Sequence, residues 1–175
     1  MTEPQVVHAT ISCSIVPPPD FERILKRDLG FALDKDLKGL VSKRDDPKAT
    51  MLLLESGRMI AAGEAHPEAL WALAEATAYL ISSSALVHQA VGYEIEEIVV
   101  RAEMGDIDLS AVADALGISP PDMVAPHPRI DLVIEPPTMN VAIYATGTLL
   151  LRGRCGVSTA FETLSWLIEG LGVSA

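Results

Sequence analysis

Four histidines, two cysteines and 24 Asp and Glu residues are the groups in this 175-residue chain that could bind a metal, attack a substrate or move a proton. Their spacing gives them no such task. His8, His66, His88 and His127 show none of the i, i+4 spacing by which a helix offers two imidazoles to one metal, so each reads as solvated or hydrogen-bonded. Cys13 and Cys155 form no Cys-x-x-Cys pair and are too few for a disulfide framework, so both read as reduced packing residues. The chain carries no nucleophile elbow, no phosphate-cradling glycine loop, no His-Glu-x-x-His and no dinucleotide fingerprint after a strand. No acidic pair separates a general acid from a general base. The expectation is a protein that is not an enzyme, with no catalytic residues, no metal and no cofactor. The acidic run at Glu94 to Glu97 reads as a solvated strand edge, with Glu97 turned toward the face where a partner would lie.

Charge narrows the partners. Thirteen Lys and Arg against 24 Asp and Glu give −11 and a pI near 4.7. Residues 1–90 hold nine basic against twelve acidic groups, or −3, whereas residues 91–175 hold four against twelve, or −8. The second half repels polyanions, which removes the long-range steering that nucleic-acid binders use. A mean hydropathy of +0.30 is high for a soluble chain, but no apolar run approaches the roughly 20 residues of a membrane-spanning helix. The N-terminal residues show neither a secretion leader nor a transit segment, so a cytoplasmic location without membrane contact is expected.

The elements that would position a partner come in two copies. Shifting the sequence by 90 residues lays KATMLLLESGRMIAAGE, from Lys48, on TMNVAIYATGTLLLRGR, from Thr138. Leu40 falls on Ile130, Pro47 on Pro137, Leu53 on Ile143, Gly57 on Gly147, Gly63 on Gly153 and Trp71 on Phe161. The spacing predicts a first repeat over 1–84, a linker over 85–92 and a second repeat over 93–175. Within the first, VVHATISCS alternates as a half-buried strand, and Asp20 caps a helix with Phe21, Ile24, Leu25 and Leu29 on one face. LVSKRD is a further strand, MLLLESGRMIAA is a hairpin turning at Ser56-Gly57, and Pro67 opens a helix with Leu70, Leu73, Ala74, Leu80 and Ile81 at helical spacing. Phe161, Leu164, Leu167, Ile168 and Leu171 repeat that spacing. The fold class expected is α+β: two pseudo-symmetric repeats forming one curved antiparallel sheet, with helices on the convex side and a concave face left for a partner.

These residues resemble the TATA-box-binding protein (TBP) family in its archaeal and eukaryotic conserved core, over nearly the whole chain. The paired hairpins LLLESGRMIAAG and AIYATGTLLLRG, with VVHATIS and EIVVRAE upstream, look like the family's repeated signature. The resemblance implies a saddle that grips the DNA minor groove with its concave sheet and drives two pairs of phenylalanines between base steps. Here the wedge positions hold Leu37 and Leu54 in the first half, and His127 and Tyr144 in the second. The asparagines that read the centre of the site are replaced by Val6 and Glu97, and a carboxylate there offers no donor to base acceptors. Arg152 stands where the family has a small threonine. Lys43 and Arg58 keep the basic character of phosphate contacts, while their second-half counterparts are Val133 and Thr148. The acidic stirrup that recruits the next initiation factor is here PDMVAPHPR, with Pro121 and Asp122 out of register.

Strand alternation adds His8 and Thr10 in the first half and Val99, Arg101 and Glu103 beside Glu97 in the second. Leu52, Leu54, Ile60 and Leu150 read either as an apolar gripping surface or as sheet residues covered by a neighbour. Arg101, Arg152, Glu97 and Glu103 read either as a recognition cluster or as mutually neutralising ion pairs. Two functional readings stay open. One is a TBP-like binding module associated with transcription, touching DNA weakly or not at all, with ordinary TATA recognition weakened or lost. The other is a protein-interaction or self-associating saddle that does not bind DNA, its concave face taking a protein partner or a second copy.

Overall fold

The computed structural model describes residues 2–121, 123, 124 and 126–171. Nine strands and four helices lie among them: β1 (Gln5–Val16), α1 (Phe21–Lys26), β2 (Ala32–Asp34), β3 (Gly39–Asp45), β4 (Lys48–Leu54), β5 (Arg58–Gly63), α2 (Pro67–Ile81), β6 (Gln89–Glu103), α3 (Leu109–Leu116), β7 (Arg129–Ile134), β8 (Met139–Tyr144), β9 (Thr148–Gly153) and α4 (Val157–Gly170). The chain divides into two compact units, one of His8–Glu96 and the other of the chain from Glu97 on together with the residues ahead of His8. Both have the same plan of antiparallel strands backed by a short and a long helix. None of the described helices is long and apolar enough to cross a membrane.

In the first unit the strands run β2-β3-β4-β5-β1. Alternation sorts their side chains as the sequence predicts. Ile11, Cys13 and Ile15 of β1, Leu40 of β3, Leu53 of β4 and Met59 of β5 are buried on the side covered by Ile24 of α1 and by Ala74, Ala78 and Ile81 of α2. Burial pushes the Cys13 thiol up to about 11, which keeps it protonated and inert at neutral pH. Asp20 caps α1 by accepting the Arg23 N–H at 3.2 Å, and His66 Nδ1 accepts the Glu68 N–H at 3.3 Å ahead of Pro67. Several details depart from the sequence reading. Leu25 of α1 is exposed, Leu29 lies beyond the end of that helix, Leu80 sits on the solvent side of α2, and Thr77 takes a place on the buried face. β6 begins at Gln89, inside the stretch assigned to the linker.

Arg27 ties the two helices of this unit together. Its guanidinium donates to the carbonyl oxygens of Leu80, Ile81 and Ser82 at 3.1, 3.0 and 3.1 Å, groups that the end of α2 leaves without helical partners. Arg27→Ala is expected to lower stability by about 1–2 kcal/mol in urea unfolding, because charged donors are lost from three carbonyls at once.

The second unit runs β6-β9-β8-β7. Ile98, Val100, Ala102, Val141, Ile143, Leu149 and Leu151 form the helix-covered side, with Leu109, Val112 and Ala113 of α3 and Ala160, Leu164, Leu167 and Ile168 of α4 packed in the same core. Asp108 caps α3 by accepting the Ser110 and Ala111 N–H groups at 2.9 and 3.3 Å. Burial raises the thiol of Cys155, whose Sγ lies 3.7 Å from Met139 Sδ. Among the described residues no group of His, Cys, Asp and Glu is placed to hold a metal ion.

Candidate functional site

Because the helices cover one side of each strand layer, the alternate side chains stand on the other. In the first unit the register carries two rows across that uncovered side: Val41, Leu52, Ile60 and Ser12, and beside them Lys43, Thr50, Ala62 and Thr10. Leu52, Leu54 and Ile60 are half-buried with no helix over them. Leu54 ends β4 opposite Gly39, and Leu37, 54% exposed, occupies the turn two residues before that glycine. The turn is held by the Asp34 carboxylate, which accepts the N–H groups of Asp36 and Leu37 at 3.0 and 2.9 Å. Leu37 and Leu54 therefore stand near one end of the layer.

The basic groups of this unit differ in their freedom. Arg58 Nη2 lies 3.2 Å from Glu96 Oε1, and the Ser12 hydroxyl donates to the same oxygen at 2.5 Å. Glu96, read from sequence as part of a solvated acidic edge, instead gathers Ser12 and Arg58, a link that no local pattern announces. Lys43 is exposed and has no ion-pair partner among the described residues. It lines an open depression of about 400 Å³ with His8, Arg44, Thr50 and the Lys48–Glu64 pair, whose charges are 2.9 Å apart. Arg44 lies over the Phe31 ring at 5.9 Å, and its buried Nε has no hydrogen-bond partner.

The uncovered side of the second unit mixes charged and apolar side chains. Its rows are Val99, Arg152, Asn140 and Val133, then Arg101, Leu150, Ala142 and Asp131. Three arginines on it are each engaged by a carboxylate. Arg152 Nε is 2.6 Å from Glu97 Oε2, Arg101 Nε is 2.6 Å from Glu103 Oε1, and Arg129 Nε is 3.0 Å from Asp131 Oδ2. Glu103 also accepts the Thr148 hydroxyl at 3.1 Å. Arg129 Nη1 reaches the Tyr144 hydroxyl at 3.2 Å, and its charge lies 5.9 Å from the ring centre. The hydrogen bond to Tyr144, and after it the one to Asp131, holds the Arg129 proton more firmly than usual. Val99, Leu150, Tyr144 and the paired Arg129, Asp131 and Arg152 line an open depression of about 510 Å³.

Sequence alternation had placed Glu97, Val99, Arg101 and Glu103 on one face of β6, and the burial pattern puts them there. It had left open whether the charges serve recognition or pair with one another; in the structure they pair. Glu97 offers a carboxylate already bound to Arg152. The remaining positions are less organised. Val6 is half-buried on β1, His127 is exposed just ahead of Pro128, and Tyr144 is tethered through its hydroxyl. In the segment 121–129, Pro121 is half-buried, Met123 and Val124 form an exposed turn, and Asp122 and Ala125 lie outside the described residues.

No protein-family model matches the sequence. No curated protein matches it either. Among solved structures the chain is similar to Methanococcus jannaschii TBP, with a TM-score of 0.66 and 17% identity, over 98% of this chain and 99% of that one. The chain therefore has the TBP fold, an α+β architecture of two repeated strand and helix units.

Proposed function

We propose that the protein is a TBP-like binding module associated with transcription, that it works through the uncovered strand faces of its units, and that ordinary TATA recognition is lost. The observation that carries this reading is the pairing of Arg152, Arg101 and Arg129 with Glu97, Glu103 and Asp131 on the second unit's face. A duplex laid there would have to draw each guanidinium away from a carboxylate of its own chain, and would then leave that carboxylate beside its phosphates. Counterion release supplies most of the affinity in non-specific binding, and self-paired cations contribute little of it. The wedge positions support the same reading. Tyr144 is held by Arg129, and His127 is polar, so the second half has no free apolar wedge at either place. DNA contact is then weak and confined to the first unit, where Lys43, Leu37 and Leu54 remain available.

A second reading, a protein-interaction module that does not touch DNA, is favoured by the row Val41, Leu52 and Ile60, which suits an apolar segment better than phosphates. A fluorescence-anisotropy titration at about 50 mM salt, with a TATA duplex and a scrambled duplex, tests the loss of recognition. Affinities within about threefold of each other are expected, whether measurable or below detection. A preference for the TATA duplex beyond about tenfold rejects the proposal.

A further inference from the structure

The outer faces of the two long helices differ although the repeat relates them. In α4 the side chains turned to solvent are Ser158, Glu162, Ser165, Trp166 and Glu169, which share an arc of roughly 100° at 3.6 residues per turn. Trp166 is 65% exposed. The 90-residue offset lays it on Ala76 of α2, a position that is exposed as well. The first copy of the repeat therefore folds with a methyl group at this place, and alanine is the better helix former. Neither packing nor helix propensity calls for an indole there. The charges beside it also run against local stability. Glu162 lies one turn before Trp166 and Glu169 one turn after it, so two carboxylates flank the ring. Glu169 stands in the last turn, at the negative end of the helix dipole, where a cation would be favoured and the helix has none. The Ser158 hydroxyl donates to Glu162 Oε1 at 2.9 Å, a neutral partner that holds the carboxylate and leaves its charge in place.

We propose that the outer face of α4 docks a basic helical segment of another protein, with Lys or Arg spaced to meet Glu162 and Glu169 on either side of Trp166. Charge complementarity selects this occupant. On the strand face of the same unit Arg101, Arg129 and Arg152 are matched one for one by Glu103, Asp131 and Glu97. The helix side has no such match: α3 with its cap, and α4, hold Asp108, Asp114, Glu162 and Glu169 and contain no Lys or Arg. A cation laid over the indole gains attraction from the ring face. The same cation, close to Glu169, also relieves the repulsion between that carboxylate and the end of the helix. A second copy would set these carboxylates against their own kind, and a nucleic acid would bring phosphates to them. The helices cover the opposite side of the strands, so the inference stands apart from the DNA reading.

Two labelled peptides and the whole chain test this by anisotropy at low salt. One is an alanine-based helix with Arg at two positions two turns apart, and the other has Gln at both. The Arg peptide is expected to bind with a Kd of about 100 μM, and the Gln peptide at least about tenfold more weakly. Trp166→Ala should weaken the Arg peptide about fivefold, and Trp166→Phe should keep most of the affinity, because a phenyl ring still faces the cation. Glu169→Lys should weaken it about tenfold while raising the melting temperature by about 2 °C, which separates the loss of docking from any loss of fold. Glu75→Gln, at an exposed position of α2, removes the same charge elsewhere and should leave the affinity within about twofold. Equal binding of the two peptides, no binding of either up to about 1 mM, or equal losses in Glu75→Gln and Glu169→Lys overturns the proposal. So does sedimentation that shows the 18.7 kDa chain doubling in mass and Trp166→Ala abolishing the doubling, which would assign the face to a second copy.

Discussion

Gly147→Ala is expected to be among the most destabilising single substitutions in the second unit, lowering stability by about 3 kcal/mol and the melting temperature by about 10 °C. Gly147 turns the β8–β9 hairpin at φ +80, where an L side chain is strained, and a β-carbon there would run into the backbone of Gly105. That backbone has little room to retreat, because Met104 N–H donates to the Gly147 carbonyl at 3.0 Å. The first repeat makes the same join. Gly57 turns at φ +88, Ile15 N–H donates to its carbonyl at 2.7 Å, and a β-carbon at Gly57 would meet Ile15 O at 2.5 Å. Gly92 supplies the comparison: its φ is +70 with nothing within 4 Å, so Gly92→Ala should cost only the conformational part, about 1 kcal/mol. Equal losses at Gly147 and Gly92 in thermal unfolding would show that the close backbone approach contributes nothing.

Glu97→Asn should raise the affinity for duplex DNA about tenfold at low salt, the largest functional gain available from one residue. The substitution acts twice. It removes a carboxylate from the uncovered face, and it releases Arg152, whose Nε and Nη2 both lie 2.6 Å from Glu97 Oε2. A freed guanidinium can then meet a phosphate, so the dependence of log affinity on log salt should steepen by about one to two units. Stability should barely change, because the pair is well exposed on the arginine side, 64%, and pairs of that kind contribute little. Unchanged affinity and unchanged salt dependence would mean that the carboxylate does not oppose DNA.

The sequence carried the architecture because the signals were local and doubled. Each hairpin shows alternation and a turn glycine, each long helix has apolar helical spacing, and the offset of 90 makes each copy evidence for the other. β2 escaped this reading, since three residues are too few to show a period, and the turn that follows is held by the Asp34 side chain rather than by a glycine. Leu29 reads as a fourth helical position, but α1 stops at Lys26 and the chain turns away. The site was legible one strand at a time. Alternation put Glu97 and Arg101 on one face, yet the partner of Glu97 depends on β6 lying against β9 with Val99 opposite Arg152, a register fixed by non-local pairing. Glu96 was obscured for the same reason: its link to Ser12 and Arg58 joins residues 84 and 38 positions away.

Under the function proposed above, the TBP fold carries a working face on which minor-groove wedging does not take place. Energy transfer between dyes at the two ends of a TATA duplex measures that most directly, because kinking shortens the end-to-end distance whatever the affinity. With protein raised until anisotropy shows the duplex bound, or to the highest soluble concentration, transfer is expected to stay at the value of the free duplex. A rise in transfer that Leu54→Ala and Tyr144→Ala abolish would contradict it, and would show leucine and tyrosine acting as the wedges.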